Sequence, residues 1–255
     1  MKVVILAGGL GTRLSEETAI MPKPMVRIGG HPIIWHIMNI YSSQGYNEFI
    51  VCLGYKGWNI KEYFLNSHKN FSDITIDIST DKLEYHSKKV PNWKVTLVDT
   101  GEGTLTGGRL KRVEKYIDGS TFMMTYGDGL ADINLDKLLK FHKSHKKIAT
   151  VTAVRPLPRF GTLDLEDGGR VTAFKEKKDV PWVNGGFFVL SKKVFKYIKG
   201  DLTPFEGQPL EQLANDGELF AYKHPGFWKS MDMLSDKNFL EEQWSKSPPW
   251  KIWKD

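Results

Sequence analysis

A single cysteine, Cys52, stands among the 255 residues. One thiol cannot close an internal disulfide, so the fold does not depend on an oxidising compartment. Long apolar runs are missing as well. No stretch approaches the roughly 18 apolar residues of a membrane span, and no basic n-region precedes a signal-length apolar segment. The expectation is a soluble cytoplasmic protein with no membrane partner. There is no low-complexity tract, no internal repeat and no linker rich in Pro, Gly or Ser. His36, His142, His145 and His224 lack zinc-type spacing with a matching third ligand, and no Ser/His/Asp or Cys/His arrangement stands out. Acidic excess is missing too. Lys and Arg number 36 against 30 Asp and Glu, a net charge of +6. That balance suits anionic partners, although the lysine-rich stretches 137–147 and 175–178 read first as solvated helix and loop faces. No helix-turn-helix, zinc finger or aromatic–basic RNA motif accompanies them, so nucleic acid is not expected as a partner. Small phosphorylated substrates explain the charge with fewer assumptions.

What is present suffices for a core: 40% of residues are apolar, with 8 Trp, 9 Tyr and 14 Phe. Apolar runs alternate with helical periodicity. Strands are predicted at 2–7, 48–53, 74–79, 94–99 and 122–126, and helices at 32–43, 58–66, 110–116 and 135–145. This order predicts an α/β fold with a mostly parallel sheet and helices on both faces, whose ligands sit at the carboxyl ends of the strands. After residue 147 the pattern changes to extra strands at 149–155, 161–165, 170–174 and 184–190. Gly168-Gly169 reads as a hairpin turn. Helical patterns return at 209–215 and 235–244. The reading is one domain, 1–255, whose second half (148–255) packs on the first (1–147) and completes one site. Residues 81–93 are polar and irregular, either an arm at a site or subunit contact or an ordinary surface loop. The 248–253 tail, with two Trp, reads as a segment packed on a surface.

The strongest local signal is Leu6-Ala7-Gly8-Gly9-Leu10-Gly11-Thr12-Arg13, straight after the first strand. Glycines there let backbone N–H groups approach a polyphosphate. A Walker A loop needs Lys-Ser or Lys-Thr after its last Gly, and a dinucleotide fingerprint needs a third Gly where Leu14 stands, so the loop is neither. Arg13 supplies a cation for phosphate oxygens. Pro22-Lys23-Pro24 follows, and its prolines hold the Lys23 backbone extended. The Lys23 charge can stabilise a phosphoryl group under attack. Asp128 ends a predicted parallel strand, well placed for Mg²⁺ on a nucleotide, although turns also use aspartate. Asp232 is the candidate second carboxylate. Thr106-Gly107-Gly108-Arg109 opens a helix, where glycine allows close approach of a flat base and the N-terminus attracts anions. A cap by Thr106 is the alternative, and both can hold together. Glu176-Lys177 and Asn184-Gly185-Gly186 complete the candidates: Glu176 and Asn184 suit sugar hydroxyls, and Lys177 a sugar phosphate. Cys52 reads as a buried apolar residue.

Gly-Gly-x-Gly-Thr-Arg-Leu followed by Pro-Lys-Pro resembles the sugar nucleotidyltransferases. Further stretches, among them 35–38, 54–57, 95–101, 106–113, 126–129, 184–190 and 224–232, are similar to the cytidylyltransferase branch of that family across nearly the whole chain. The resemblance implies a Rossmann-like fold of the nucleotide-diphospho-sugar transferase type. It implies an enzyme that uses CTP and glucose 1-phosphate, makes CDP-glucose for surface polysaccharide such as O-antigen, requires Mg²⁺ and forms a homo-oligomer, a hexamer being one form. At matching positions it implies that Leu6–Arg13, Lys23, Thr104, Arg109 and Gly127 surround the nucleotide and that Arg13 and Lys23 act on the reacting phosphates. Asp128 and Asp232 would hold the metal. Lys177 would face the sugar phosphate, with Glu176 and Asn184 near the sugar and Gly186 also in the substrate site. The family usually has Pro after Glu-Lys. Here Lys178 follows, so either lysine could fill that role. A regulator that binds nucleotide without catalysis is the competing class. The joint presence of Arg13, Lys23, Asp128 and Asp232 argues against it.

Overall fold

The structure is a computed structural model that describes residues 1–86, 90–156, 161–175 and 180–254. β1 (Lys2–Leu6) runs into the glycine loop, a 3₁₀ turn (Thr12–Leu14) and the one-turn helix α1 (Ser15–Thr18). A second 3₁₀ turn (Lys23–Met25) leads to the ribbon β2 (Arg27–Ile28) and β3 (His31–Pro32), then to α2 (Ile33–Ser42) and β4 (Glu48–Leu53). α3 (Gly57–Leu65) and α4 (Ser67–Phe71) precede the hairpin β5 (Asp73–Asp77) and β6 (Lys82–His86). β7 (Lys94–Asp99), α5 (Thr106–Arg112), β8 (Thr121–Tyr126), β9 (Gly129–Ala131) and α6 (Leu135–His145) follow. The rest comprises β10 (Ala149–Val154), the hairpin β11 (Thr162–Leu165) and β12 (Val171–Lys175), β13 (Val183–Ser191), α7 (Gln208–Asn215), β14 (Leu219–Lys223), β15 (Trp228–Ser230) and α8 (Leu234–Lys246).

One seven-stranded sheet organises the chain, in the order β14-β10-β13-β8-β1-β4-β7. β1 pairs parallel with β4 and β8, β4 with β7, and β10 with β14. β13 runs antiparallel to both of its neighbours. The mixed α/β architecture expected from the alternating pattern is therefore present. The strands of residues 148–255 extend the same sheet through the β13–β8 pairing. β1 and β4 read as near-continuous apolar runs because both of their faces are covered. Val3, Ile5 and Val51 point into one buried cluster, and Val4, Ile50 and Cys52 into the other. Trp250 of the tail is fully buried against the first cluster. Among the described residues, no helix is long and apolar enough to cross a membrane.

Three readings of the sequence need correction. The 74–79 strand is not part of the main sheet: among the described residues β5 pairs only with β6, in an exposed hairpin that includes part of the segment read as irregular. Its alternation of Ile74, Ile76 and Ile78 looks like a core strand, but strand periodicity does not say which sheet a strand joins. The helix predicted at 110–116 begins earlier, at Thr106, and gives way to a 3₁₀ turn at Glu114–Tyr116. Thr106 is not the cap. Leu105 holds that position, and the Gly107 and Gly108 N–H groups donate to the Thr203 carbonyl oxygen.

The last point reassigns the two glycines. A Cβ on Gly107 would stand 2.7 Å from Thr203 O, and one on Gly108 2.4 Å from Asp201 O. They let α5 seat against the 201–205 backbone rather than against a base. Gly→Ala inside a helix ordinarily gains about 1 kcal/mol. For Gly108→Ala we expect the opposite sign, a loss of about 1–3 kcal/mol from overpacking, read as a lower midpoint in thermal unfolding.

Candidate active site

The loops that follow β1 and β8 leave neighbouring parallel strands at their carboxyl ends, where α/β sheets hold ligands. Between them lies a cleft of about 570 Å³. One wall is the glycine loop. Gly11 adopts a positive φ of 66° that a side chain would strain, and Thr18 Oγ1 donates to the Gly11 carbonyl at 3.1 Å, pinning the turn. Leu6, Ala7, Gly8, Gly9, Gly11, Thr12 and Arg13 line the cleft, whereas Leu10 is not among the lining residues and is 52% exposed.

Lys23 sits at the centre. The extended backbone expected at Lys23 is not found: Pro22 is extended, but Lys23 opens a 3₁₀ turn closed by Met25 N donating to Pro22 O at 2.8 Å, and the flanking proline rings still give its side chain a stiff base. Lys23 Nζ donates to Asp128 Oδ2 at 2.6 Å and to Asp232 Oδ1 at 3.0 Å. Burial works against the ammonium charge, but the two carboxylates outweigh it and raise the Lys23 pKa above its ordinary value. Asp232 is shifted the other way. Burial would raise its pKa, yet Lys23, Ser230 and Arg13 together hold it below the usual carboxylate range. Arg13 Nη2 lies 3.5 Å from Asp232 Oδ1 with its side chain mostly exposed, so it remains free to engage a ligand. The two aspartate segments are also joined by backbone: Met231 N donates to Asp128 O at 2.9 Å.

Arg109 belongs to a second wall. Its guanidinium is buried, and Nη1 donates to Leu53 O, Thr100 Oγ1 and Gly101 O at 3.0, 2.9 and 2.7 Å, while Nη2 donates to Glu102 O at 3.0 Å. These acceptors are all neutral, and they fix the 100–104 loop that brings Thr104 into the cleft. A Cβ on Gly8 or Gly54 would stand 2.2 or 2.3 Å from Arg109 Nη1. At Gly8 the guanidinium therefore leaves no room for a side chain. Cys52 lies beneath this wall. Burial pushes its thiol up to about 12, with Arg109 opposing, so it is an inert core residue.

The far wall carries Gly127, Asn184 and Gly186. Gly127 N donates to Leu6 O at 3.0 Å, which ties β8 to the glycine loop. Asn184 Oδ1 accepts from Gly186 N at 2.8 Å, and Asn184 Nδ2 donates to Tyr126 Oη at 3.3 Å. Glu176 and Lys177, with the neighbouring Lys178, lie outside the described residues. Tyr126, Glu206 and Trp228 also line the cleft and carry no chemical signal in the sequence alone. Trp228 Nε1 donates to Gly185 O at 2.7 Å, and Glu206 Oε2 accepts from Thr106 Oγ1 at 2.5 Å. Burial and Glu206 hold the Tyr126 phenol far above its ordinary pKa, so it acts as a hydrogen-bonding group and not as an acid.

Removing the ammonium would leave Asp128 and Asp232 facing each other. We expect Lys23→Met to lower the stability of chelator-treated protein by about 2 kcal/mol, below the range for a fully buried pair because the carboxylates keep some solvent contact. Thermal unfolding with and without a divalent cation checks this, and the loss should shrink when the cation is added.

The family model for nucleotidyl transferases matches residues 2–236. The chain is 54% identical to the glucose-1-phosphate cytidylyltransferase of Salmonella typhi, over 99% of this chain and 100% of that protein. It is 48% identical, with the same coverage, to a probable glucose-1-phosphate cytidylyltransferase of Bacillus subtilis (strain 168). Among solved structures, HddC from Yersinia pseudotuberculosis complexed with GMP-PN aligns with a TM-score of 0.71 at 27% identity, over 95% of this chain and 99% of that one. The chain belongs to the nucleotidyl transferase family, among the glucose-1-phosphate cytidylyltransferases.

Proposed function

We propose that the protein transfers the cytidylyl group of CTP to glucose 1-phosphate, giving CDP-glucose and pyrophosphate. The observation that carries this reading is the Lys23 ammonium bracketed by Asp128 and Asp232 beside the glycine loop, in a chain similar over its full length to enzymes named for this reaction. A phosphate oxygen of glucose 1-phosphate forms a bond to the α-phosphorus of CTP. The bond from that phosphorus to the bridging oxygen of the β-phosphate breaks, and pyrophosphate leaves with the electron pair. The attacking phosphate is already ionised, so no general base is needed, in keeping with a described cleft lined by no His or Cys.

The residues fit a magnesium site. Mg²⁺ takes one or two carboxylates together with phosphate oxygens and water, and here two carboxylates already converge on one cationic group, the Lys23 ammonium. When bound, the metal supplies charge neutralisation on the triphosphate. Asp128 and Asp232 hold it, and the glycine loop offers N–H groups to the phosphates. Arg13 and Lys23 offset the repulsion between the two anionic substrates. Arg109 keeps Thr104 and the 100–104 loop in place around the nucleotide. Asn184 and Gly186 face the sugar, with Glu176 and Lys177 assigned beside them. We further place the reaction in the cytoplasm, where CTP is made, and take the active form to be a homo-oligomer.

A pyrophosphate-release screen across four nucleoside triphosphates and several sugar phosphates tests the substrates. CTP with glucose 1-phosphate should give the highest kcat/KM, and comparable turnover with UTP or dTTP at subsaturating concentration would contradict it. Steady-state kinetics on Lys23 variants test the mechanism. Lys23→Ala should lower kcat by about 10²–10³, the range for loss of one electrostatic stabiliser, with a smaller loss of CTP affinity. Lys23→Arg should not fully rescue, because the guanidinium is larger and points its donors differently. An unchanged kcat with a matching loss of affinity would reduce Lys23 to a binding residue.

A further inference from the structure

Asp236 is a buried carboxylate that the mechanism above does not use. It lies in the first turn of α8 with its side chain 3% exposed. Its Oδ2 accepts from Asp232 N at 3.0 Å and from Met233 N at 2.9 Å. Its Oδ1 accepts from Lys229 Nζ at 2.5 Å. We propose that Asp236 is a positioning residue for Asp232, fixing the backbone from which that carboxylate enters the cleft. The proposal rests on the reading of Asp232 as a metal ligand.

A helix cap alone asks for less. Met233 is the N-cap, and Asp236, three residues on, accepts from the Met233 N–H and so forms the acid half of a capping box. The Asp236 carboxylate reaches one residue further, to Asp232, which lies outside the helix. It also holds Lys229, three residues before Asp232. One buried group therefore fixes the 229–233 segment on both sides of the candidate ligand. Ser230 Oγ completes the arrangement by donating to Asp232 Oδ2 at 2.8 Å. A ligand must be held within about 0.5 Å to bind its ion well. Without Asp236 the Asp232 N–H loses its acceptor, and the carboxylate loses its fixed distance to Asp128.

The test uses Mn²⁺ binding followed by electron paramagnetic resonance, on the full chain with a nonhydrolysable CTP analogue. Asp236→Asn should weaken Mn²⁺ binding by about 10-fold, the lower end for loss of a group that orients a metal ligand. Metal-free affinity for the analogue should not change. Asp236→Glu keeps the charge and the reach to the Met233 N–H, but a longer side chain cannot keep the same oxygen on Asp232 N. It should recover the thermal midpoint without recovering Mn²⁺ affinity, which separates positioning from capping. In an Asp232→Asn background, Asp236→Asn should cause no further loss of Mn²⁺ binding. Wild-type Mn²⁺ affinity in both Asp236 variants, or an equal shift in the Asp232→Asn background, would overturn the role of Asp236 alone. Wild-type affinity in Asp232→Asn itself would overturn the metal assignment and this proposal with it.

Discussion

Three distant stretches of chain meet at the Lys23 ammonium. The lysine is separated by 105 residues from Asp128 and by 209 from Asp232, yet Nζ holds both carboxylates within 3.0 Å. Two carboxylates tolerate partial burial here because the Lys23 ammonium lies between them and Arg13 balances the second negative charge. That requirement fixes how the glycine-loop side of the cleft closes against β8 and β15. It also leaves the cleft with a ready exchange of partners: the same carboxylates suit a divalent cation, and the same ammonium suits a phosphate. Nucleotide and metal arriving together would satisfy both without leaving either acid unpaired.

The sheet makes that meeting geometrically possible. β1 and β8 are adjacent and parallel, so the glycine loop and the Asp128 turn leave at the same end. β13 runs the other way beside β8 and brings Asn184 to the same mouth. β15 pairs with β9 and delivers Asp232 opposite Asp128. Arg109 and Asp236 share one design: each is a buried charge most of whose hydrogen bonds go to backbone, so each holds a loop that borders the cleft.

Features with a local physical cause were legible in the sequence. Pro22 and Pro24 announce a stiff base for Lys23, and alternating apolar runs with helical segments announce the sheet and its covering layers. The glycine run announces a loop free of Cβ atoms, although it does not say whose benefit each glycine serves. Gly8 accommodates Arg109, and Gly107 and Gly108 accommodate the 201–205 backbone. Both are tertiary contacts that leave no periodic trace. The β5–β6 hairpin was hidden for the same reason, since the choice of partner strand is made by distant chain. Glu206 follows Pro204-Phe205 with nothing to set it apart from a surface acid. Asp232 was reachable through family resemblance. That it lies across Lys23 from Asp128 was visible only in three dimensions.

The proposed chemistry requires Asp128 and Asp232 to exchange Lys23 for a divalent cation when nucleotide binds. A crystal structure with Mn²⁺ and a nonhydrolysable CTP analogue, collected for anomalous scattering, addresses that directly. The expected result is an anomalous peak between the Asp128 and Asp232 carboxylates, with Lys23 Nζ moved onto the α-phosphate. A metal bound elsewhere, or Lys23 still held by both aspartates beside a fully bound triphosphate, would contradict it.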